Sequence, residues 1–488
     1  MGFQEIVQFV KEREEARRHS AELLVLKVKQ LLMLYALKLI LALFPMVSKK
    51  NIIKLVTWYA IVFYGKSASG INALQEFLAT SGFGEITFRM SRLISRKALD
   101  RFAISFLMDG MIVREEKRLK AELEGGAVPY ALLISPSAKC NLRCPGCYAA
   151  SYAPGDELPF SLVDGLVTEA EELGVGVVTI LGGEPFLWGP LFDLIARHTH
   201  MYFLVFTNAT LIDGALAKKL SRLGNVMVVL SVEGFEQETD ARRGKGTFAR
   251  VMAAIDRLRQ EKVAFGYSVT VTRTNEPVIA SEAFVDFMIA KGALMGWMFL
   301  CMPVGRNPDP EMLPTPQQRL HLLDFDNRVR QTRPFFLIDF WNDAPYVGGC
   351  IAGKHYAHID PKGCVEPCIF THFCQDSIYD KSLKEAMNSE YFRELRRRQP
   401  FNDNLYLPCM WIDNPEVSRE IYAQLPIIPC HPGADDILRR DDLKQSIDAY
   451  CAGVRELYRP IWERDKNEMK DFYNFHNLKE TVLKLFAA

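Results

Sequence analysis

The chain has 488 residues, 49% of them apolar and 24% charged, with 59 basic residues balanced by 59 acidic ones. That length suits two or three domains, and the balanced charge excludes the basic excess by which a nucleic-acid binder is recognised. The first twenty residues, "MGFQEIVQFVKEREEARRHS", lack the apolar core and cleavage site of a signal peptide, so a cytoplasmic setting is the expectation. There thiols stay reduced, and the 11 cysteines, which fall in clusters, read as metal ligands or reactive groups instead of disulfides.

Residues 1–128 read as helical, with few turn signals. Two runs in this region, 31–47 and 51–65, are apolar apart from Lys38, Asn51 and Lys54. Each is shorter than the roughly 20 residues a helix needs to span a bilayer. They are either buried helices of a helical domain or an interfacial anchor peripheral to the inner face of the membrane. The stretch "ELEGGAVPY", 122–130, marks a boundary. Over 129–335, the short apolar runs "ALLIS", "GVVTIL", "YFLVF", "VMVVLS", "GYSVTVT" and "WMFLC" alternate with amphipathic patterns such as "SLVDGLVTEAEEL". This alternation predicts an α/β fold, a partial (β/α)6 TIM-like barrel with its working loops at the C-terminal strand ends. Residues 336–420 carry a second group of cysteines, and 421–488 read as mostly helical.

The first group, "CNLRCPGCY", places Cys140, Cys144 and Cys147 just after the first strand. Three thiols so close are an incomplete ligand set. They fit a zinc site that borrows a distant fourth ligand, or three corners of a 4Fe–4S cluster whose fourth iron stays open. Further stretches follow in order: "LGGEPFL" after the second strand, "FTNAT" after the third, "LSVEG" after the fourth, then "ETDARRGKGTF". Together these resemble the radical S-adenosylmethionine (SAM) enzymes. The resemblance implies that the open iron binds the amino and carboxylate groups of SAM. One electron, supplied by a donor such as flavodoxin or ferredoxin, then splits SAM into methionine and a 5′-deoxyadenosyl radical that abstracts hydrogen from a substrate. It assigns Gly182, Gly183 and Glu184 to the approach of the SAM methionine group and puts Asn208 at the site. Ser231 and Glu233 match positions that meet the ribose or the amino acid end, and Arg243 is the candidate for the SAM carboxylate, because a guanidinium forks onto a planar anion. One departure stands out: the aromatic residue that many members carry before the third cysteine is here Gly146, and the aromatic is Tyr148.

The second group holds Cys350, Cys364, Cys368 and Cys374, with Cys409 beyond. A cysteine, a dozen residues and then G-x4-C resembles the auxiliary-cluster extension called SPASM, or its shorter twitch form. The resemblance implies one further iron–sulfur cluster on Cys350, Cys368 and Cys409, with Cys374 as the first choice of fourth ligand and Cys364 or His372 as substitutes. A three-cysteine site open to substrate, or zinc in place of iron, remains an alternative. Cys301, Cys430 and Cys451 read as structural.

Two substrate classes follow from resemblance. Enzymes with this extension often modify peptides or proteins. The stretch "KSLKEAMNSEYFRELRRRQPFNDNLYLPCMWIDNPE" resembles radical SAM relatives of the enzymes that join lipid tails into membrane-spanning lipids, and the apolar N-terminal region suits a lipid. No signature of a cobalamin domain is present. The non-enzymatic alternative is an iron–sulfur carrier or scaffold, against which the GGEP element and Arg243 weigh.

Overall fold

The computed structural model describes residues 83–476, apart from Gly125 and Pro154. The chain divides into two compact units, residues 1–91 and 92–488. Of the first, residues 83–91 are described, as part of the helix Phe83–Leu93. The apolar runs at 31–47 and 51–65 lie outside the described residues. Among the described residues no helix is long and apolar enough to cross a membrane.

The second unit is built on one sheet. Its strands are β1 (Ala131–Ile134), β2 (Val177–Ile180), β3 (Tyr202–Thr207), β4 (Val226–Ser231), β5 (Phe265–Val271) and β6 (Met295–Leu300). These are the six expected strands, all parallel neighbours in chain order. Two more parallel strands extend the edges: β7 (Phe336–Asp339) beside β6 and β8 (Tyr356–Ile359) beside β1. A short antiparallel β9 (Val365–Glu366) follows β8. Four-residue strands such as β7 and β8 give little periodic signal, and a histidine in the middle of β8 interrupts the apolar run by which the other strands are recognised.

Burial on both faces explains the apolar runs: all four residues of β2 are buried, as are five of six in β3 and in β4. The crossover helices cover the outer face. In Phe160–Leu173 the buried Val163, Leu166, Val167 and Ala170 recur at three- and four-residue steps, and Gly174, with φ at 100°, ends the helix.

The sheet curls strongly. Phe206 on β3 and Trp297 on β6 bring their ring centroids within 5.5 Å, and Phe206 and Phe299 within 6.1 Å. Three strand spacings in a flat sheet would hold those strands roughly 14 Å apart. On β6, Gly296, Met298 and Leu300 are buried, whereas Trp297 and Phe299 are half-buried. Phe206, Trp297, Phe299 and Phe340 therefore form an aromatic wall on the inner face.

A two-stranded antiparallel ribbon, β10 (Phe373–Cys374) with β11 (Ile428–Pro429), lies in the cysteine-rich region, and the helix Asp441–His476 closes the described chain.

Candidate functional site

The loop of Cys140, Cys144 and Cys147 leaves β1 at the C-terminal end of the sheet. Cys140 is exposed and the other two are half-buried. The loop is sewn to the turn after β2: Gly183 N donates to Ser137 O at 3.0 Å and Glu184 N to Lys139 O at 2.7 Å. A Cβ on Gly183 would stand 2.1 Å from Lys139 O, and one on Gly182, whose φ is +110°, would stand 2.7 Å from Ser137 O. What the two glycines visibly admit is the backbone leading into the cysteine loop.

Glu184 is buried at 1% exposure. Its carboxylate accepts from Thr207 Oγ1 at 2.6 Å, Asn208 N at 2.8 Å and Phe186 N at 3.1 Å, which ties the turn to the end of β3. Burial raises its pKa, and the three donors oppose the rise. Asn208 Nδ2 donates to Asn141 Oδ1 at 2.8 Å and reaches Cys140 Sγ at 3.9 Å, so the asparagine steadies the cysteine loop. Ser231 is half-buried at the end of β4.

Glu233 is fully buried and gathers two guanidiniums. Arg242 Nη1 and Arg243 Nε each donate to Oε1 at 2.7 Å, and Thr270 N donates to Oε2 at 3.0 Å. Arg243, expected at the SAM carboxylate, is thus engaged by Glu233 in this structure. Arg242 stands beside the cysteines. Its Nη2 donates to Gly146 O at 3.5 Å, its Nε is buried without a partner, and its charge acts on Cys144, Cys147 and Cys301. The tandem "RR" was visible in the sequence, but nothing in it says which arginine turns toward the loop. Burial, with Cys144 adding to it, raises the Cys147 thiol, and both arginines pull the other way.

Gly146 has φ at +61°, and a Cβ there would meet Cys301 Sγ and Met312 Cε, each at 3.1 Å. The aromatic residue that many relatives place at this position has no room here, because a thiol and a thioether fill the space. Tyr148 packs edge-on against Phe370, with centroids 5.7 Å apart, and feels both Cys147 and Cys368.

Cys350, Cys368 and Cys409 converge from three segments. Cys350 and Cys368 act on each other electrostatically, as do Cys350 and Cys409. Burial pushes the Cys350 thiol up to about 12 and Cys368 up to about 11. Donors point at the sulfurs: Tyr356 Oη reaches Cys368 Sγ at 3.3 Å, Phe370 N the same sulfur at 3.5 Å, and Trp411 N reaches Cys409 Sγ at 3.4 Å. Asp413 accepts from Cys409 N at 3.0 Å and is held by a fully buried fork from Arg319 at 2.5 and 3.2 Å. The core helix Pro316–Thr332, which carries Arg319, so fixes the turn that presents Cys409. Cys374, expected as the fourth ligand of this set, stands instead with Cys364 and Cys430.

Both donor sets fit iron–sulfur clusters. Three thiols on one open loop leave a fourth iron for a small molecule, with cationic Arg242 alongside. Three half-buried thiols with N–H and O–H donors on the sulfurs suit a cluster held by hydrogen bonds from the surrounding chain.

An α/β sheet with a three-cysteine loop at its C-terminal edge and a second thiol set is the arrangement of an iron–sulfur protein. The radical SAM superfamily matches residues 134–279, and the SPASM iron–sulfur cluster-binding domain matches residues 350–410. The chain carries a radical SAM domain followed by an SPASM domain. It is 26% identical over 300 residues to an AdoMet-dependent heme synthase of Methanosarcina barkeri, covering 55% of this chain and 85% of that one. It is 28% identical over 156 residues to the sporulation killing factor maturation protein SkfB of Bacillus subtilis, covering 30% of this chain and 37% of the other. Streptococcus suis SuiB bound to S-adenosylmethionine shares the fold, with a TM-score of 0.50 and 16% identity over 70% of this chain and 82% of that chain. With its cluster and SAM bound, such an enzyme reductively cleaves SAM to a 5′-deoxyadenosyl radical, which takes a hydrogen atom from the substrate.

Proposed function

We propose that the substrate of this radical SAM enzyme is the apolar chain of a lipid, from which a hydrogen atom is abstracted. The observation that carries this is the aromatic wall. Phe206, Trp297, Phe299 and Phe340 are half-buried and in ring contact. Trp297 and Phe299 share the β6 face that leads to Cys301 at the cysteine loop. Such a wall offers dispersion and apolar contact to a hydrocarbon.

Within this reading, Cys140, Cys144 and Cys147 hold the SAM-binding cluster, and Cys350, Cys368 and Cys409 hold the auxiliary one. The amino acid end of SAM lies among Gly182, Gly183, Glu184, Asn208, Ser231, Glu233 and Arg243. Glu184 and Glu233 also act through others: Glu184 locks the turn after β2 to β3, and Glu233 aims the two arginines. Arg242 supplies positive charge where three thiolates gather. The electron comes from a flavodoxin or ferredoxin, and the N-terminal region brings the enzyme to the inner membrane surface where the lipid lies.

The test uses the reconstituted, reduced full chain with SAM and vesicles of lipid deuterated along its acyl chains. Deuterium appearing in 5′-deoxyadenosine is the expected result, and Trp297→Ala lowers that transfer while SAM cleavage without lipid persists. The second reading, a peptide substrate, rests on the similarity to SkfB. Unlabelled 5′-deoxyadenosine from the lipid, with label transferred from a deuterated peptide, overturns the lipid reading in its favour.

A further inference from the structure

The thiols of Cys364, Cys374 and Cys430 form a third group, separate from the two described. Their sulfurs all lie within 4.8 Å of one another. Three local devices bring them together. The turn after β8 places Cys364 beside Asp360, whose Oδ1 accepts from Cys364 N and Lys362 N, both at 2.8 Å. The β10–β11 ribbon pairs Cys374 with Ile428. Cys430 N then donates to His372 O at 2.9 Å, and Lys362 Nζ to Cys430 O at 3.1 Å.

The spacing decides what such a group can hold. A tetrahedral ion with metal–sulfur bonds near 2.3 Å sets its thiolates ~3.8 Å apart. A four-iron cluster binds each thiolate to a different corner, which spreads the sulfurs further. A close triple therefore suits one ion.

A second observation points to a ligand. Asp360 is fully buried, and its Oδ2 has no hydrogen-bond partner. A carboxylate oxygen of Asp360, one of Glu366 and Cys430 Sγ also lie within 4.8 Å of one another. Glu366 is already engaged: its Oε2 shares a 2.6 Å bond with His358 Nδ1, and its Oε1 accepts from Tyr152 Oη at 3.0 Å. A buried carboxylate oxygen without a donor is costly unless a cation meets it.

We infer that Cys364, Cys374, Cys430 and Asp360 bind a single zinc ion. Three thiols lose their protons to solvent as the ion enters, and no oxidant or reductant is required. The ion ties the segment around Cys430, beyond the matched SPASM residues, to the turn of Asp360–Cys364 and to the β10–β11 ribbon. Its role is structural: it fixes the end of the auxiliary region that leads into the helix Asp441–His476.

The test is metal analysis of the purified full chain, with and without reconstituted iron, and zinc-edge X-ray absorption. About one zinc per chain is expected, with three sulfurs at about 2.3 Å and one lighter donor. The same zinc should persist when Cys140, Cys144 and Cys147 are replaced by alanine, and in Cys451→Ser. It should fall at least tenfold in Cys374→Ser, and Asp360→Asn should weaken retention against a chelator. Where Cys374→Ser fails to fold, the absorption spectrum of the unaltered chain decides. Absence of zinc, fewer than three sulfur neighbours, a disulfide among the three cysteines, or zinc that vanishes with the first cysteine triple would each overturn the inference. None of these readouts depends on SAM cleavage, so failure here is distinct from failure of the proposed reaction.

Discussion

The cysteine loop at 140–147 and the set of Cys350, Cys368 and Cys409 present the same donor chemistry from one stretch of chain and from three. The first takes its three thiols from one short stretch of chain, with Cys140 exposed and Cys144 and Cys147 half-buried, and the second collects three half-buried thiols from three separate segments. A cluster that must receive SAM and lie near a substrate cannot be wrapped, so its ligands come from one stretch of chain and its surroundings are held from behind. A set whose ligands come from separate segments makes those ligands part of how the chain packs. The difference predicts that damage to the first set is chemical and damage to the second is structural.

The largest effect expected is on activity. Replacing Cys140, Cys144 and Cys147 by alanine should reduce 5′-deoxyadenosine formation to background while the melting temperature moves by only a few degrees. Cys350→Ala or Cys409→Ala should lower the melting temperature far more. Chromatographic assay of 5′-deoxyadenosine with a thermal melt checks both, and equal destabilisation by the two kinds of variant would erase the contrast.

Next in size are the buried ion pairs that support each set. Glu233→Gln leaves two arginines facing a neutral amide, and Arg319→Met leaves Asp413 buried without its fork. Each should cost about 3–5 kcal/mol, the range for removing one partner of a buried pair. The two should part in their iron content: Arg319→Met loosens the turn of Cys409 and should lose auxiliary iron. Glu233→Gln should keep the iron and weaken SAM binding. Denaturant titration with iron analysis and SAM-binding measurements separates them.

The smallest effect is expected at Gly146→Ala. The left-handed backbone and the crowding by Cys301 and Met312 together should cost about 1 kcal/mol. SAM cleavage should fall several-fold, because the strain sits one residue from Cys147. Steady-state kinetics with a denaturation curve measures both.

Much of this arrangement was legible in the sequence because it rests on local signals. Strands buried on both faces must be apolar throughout, so the six central strands read as six short runs. The cysteine loop, the turn at Gly182–Glu184 and the arginine pair follow particular strands, so their order along the chain is their order along the sheet edge. What was not legible depends on where the chain returns. Cys430 reads as an isolated core cysteine until the β10–β11 ribbon carries it to Cys374. Arg319 looks like one arginine among many on an amphipathic helix, and its fork onto Asp413 depends on packing between distant segments. Gly182 and Gly183, which by resemblance let the backbone approach the SAM methionine group, stand against the backbone of residues 137–139, a contact that only the folded chain reveals.

If the loop of Cys140, Cys144 and Cys147, and not the set of Cys350, Cys368 and Cys409, holds the iron that meets SAM, SAM must couple to that cluster. The direct measurement is electron–nuclear double resonance on the reduced, reconstituted full chain with SAM labelled at its amino nitrogen. The expected result is a coupling between the labelled nitrogen and the reduced cluster, lost when Cys140, Cys144 and Cys147 are replaced by alanine. A fully iron-loaded chain that binds SAM without that coupling, or a coupling that survives the triple replacement, would contradict it.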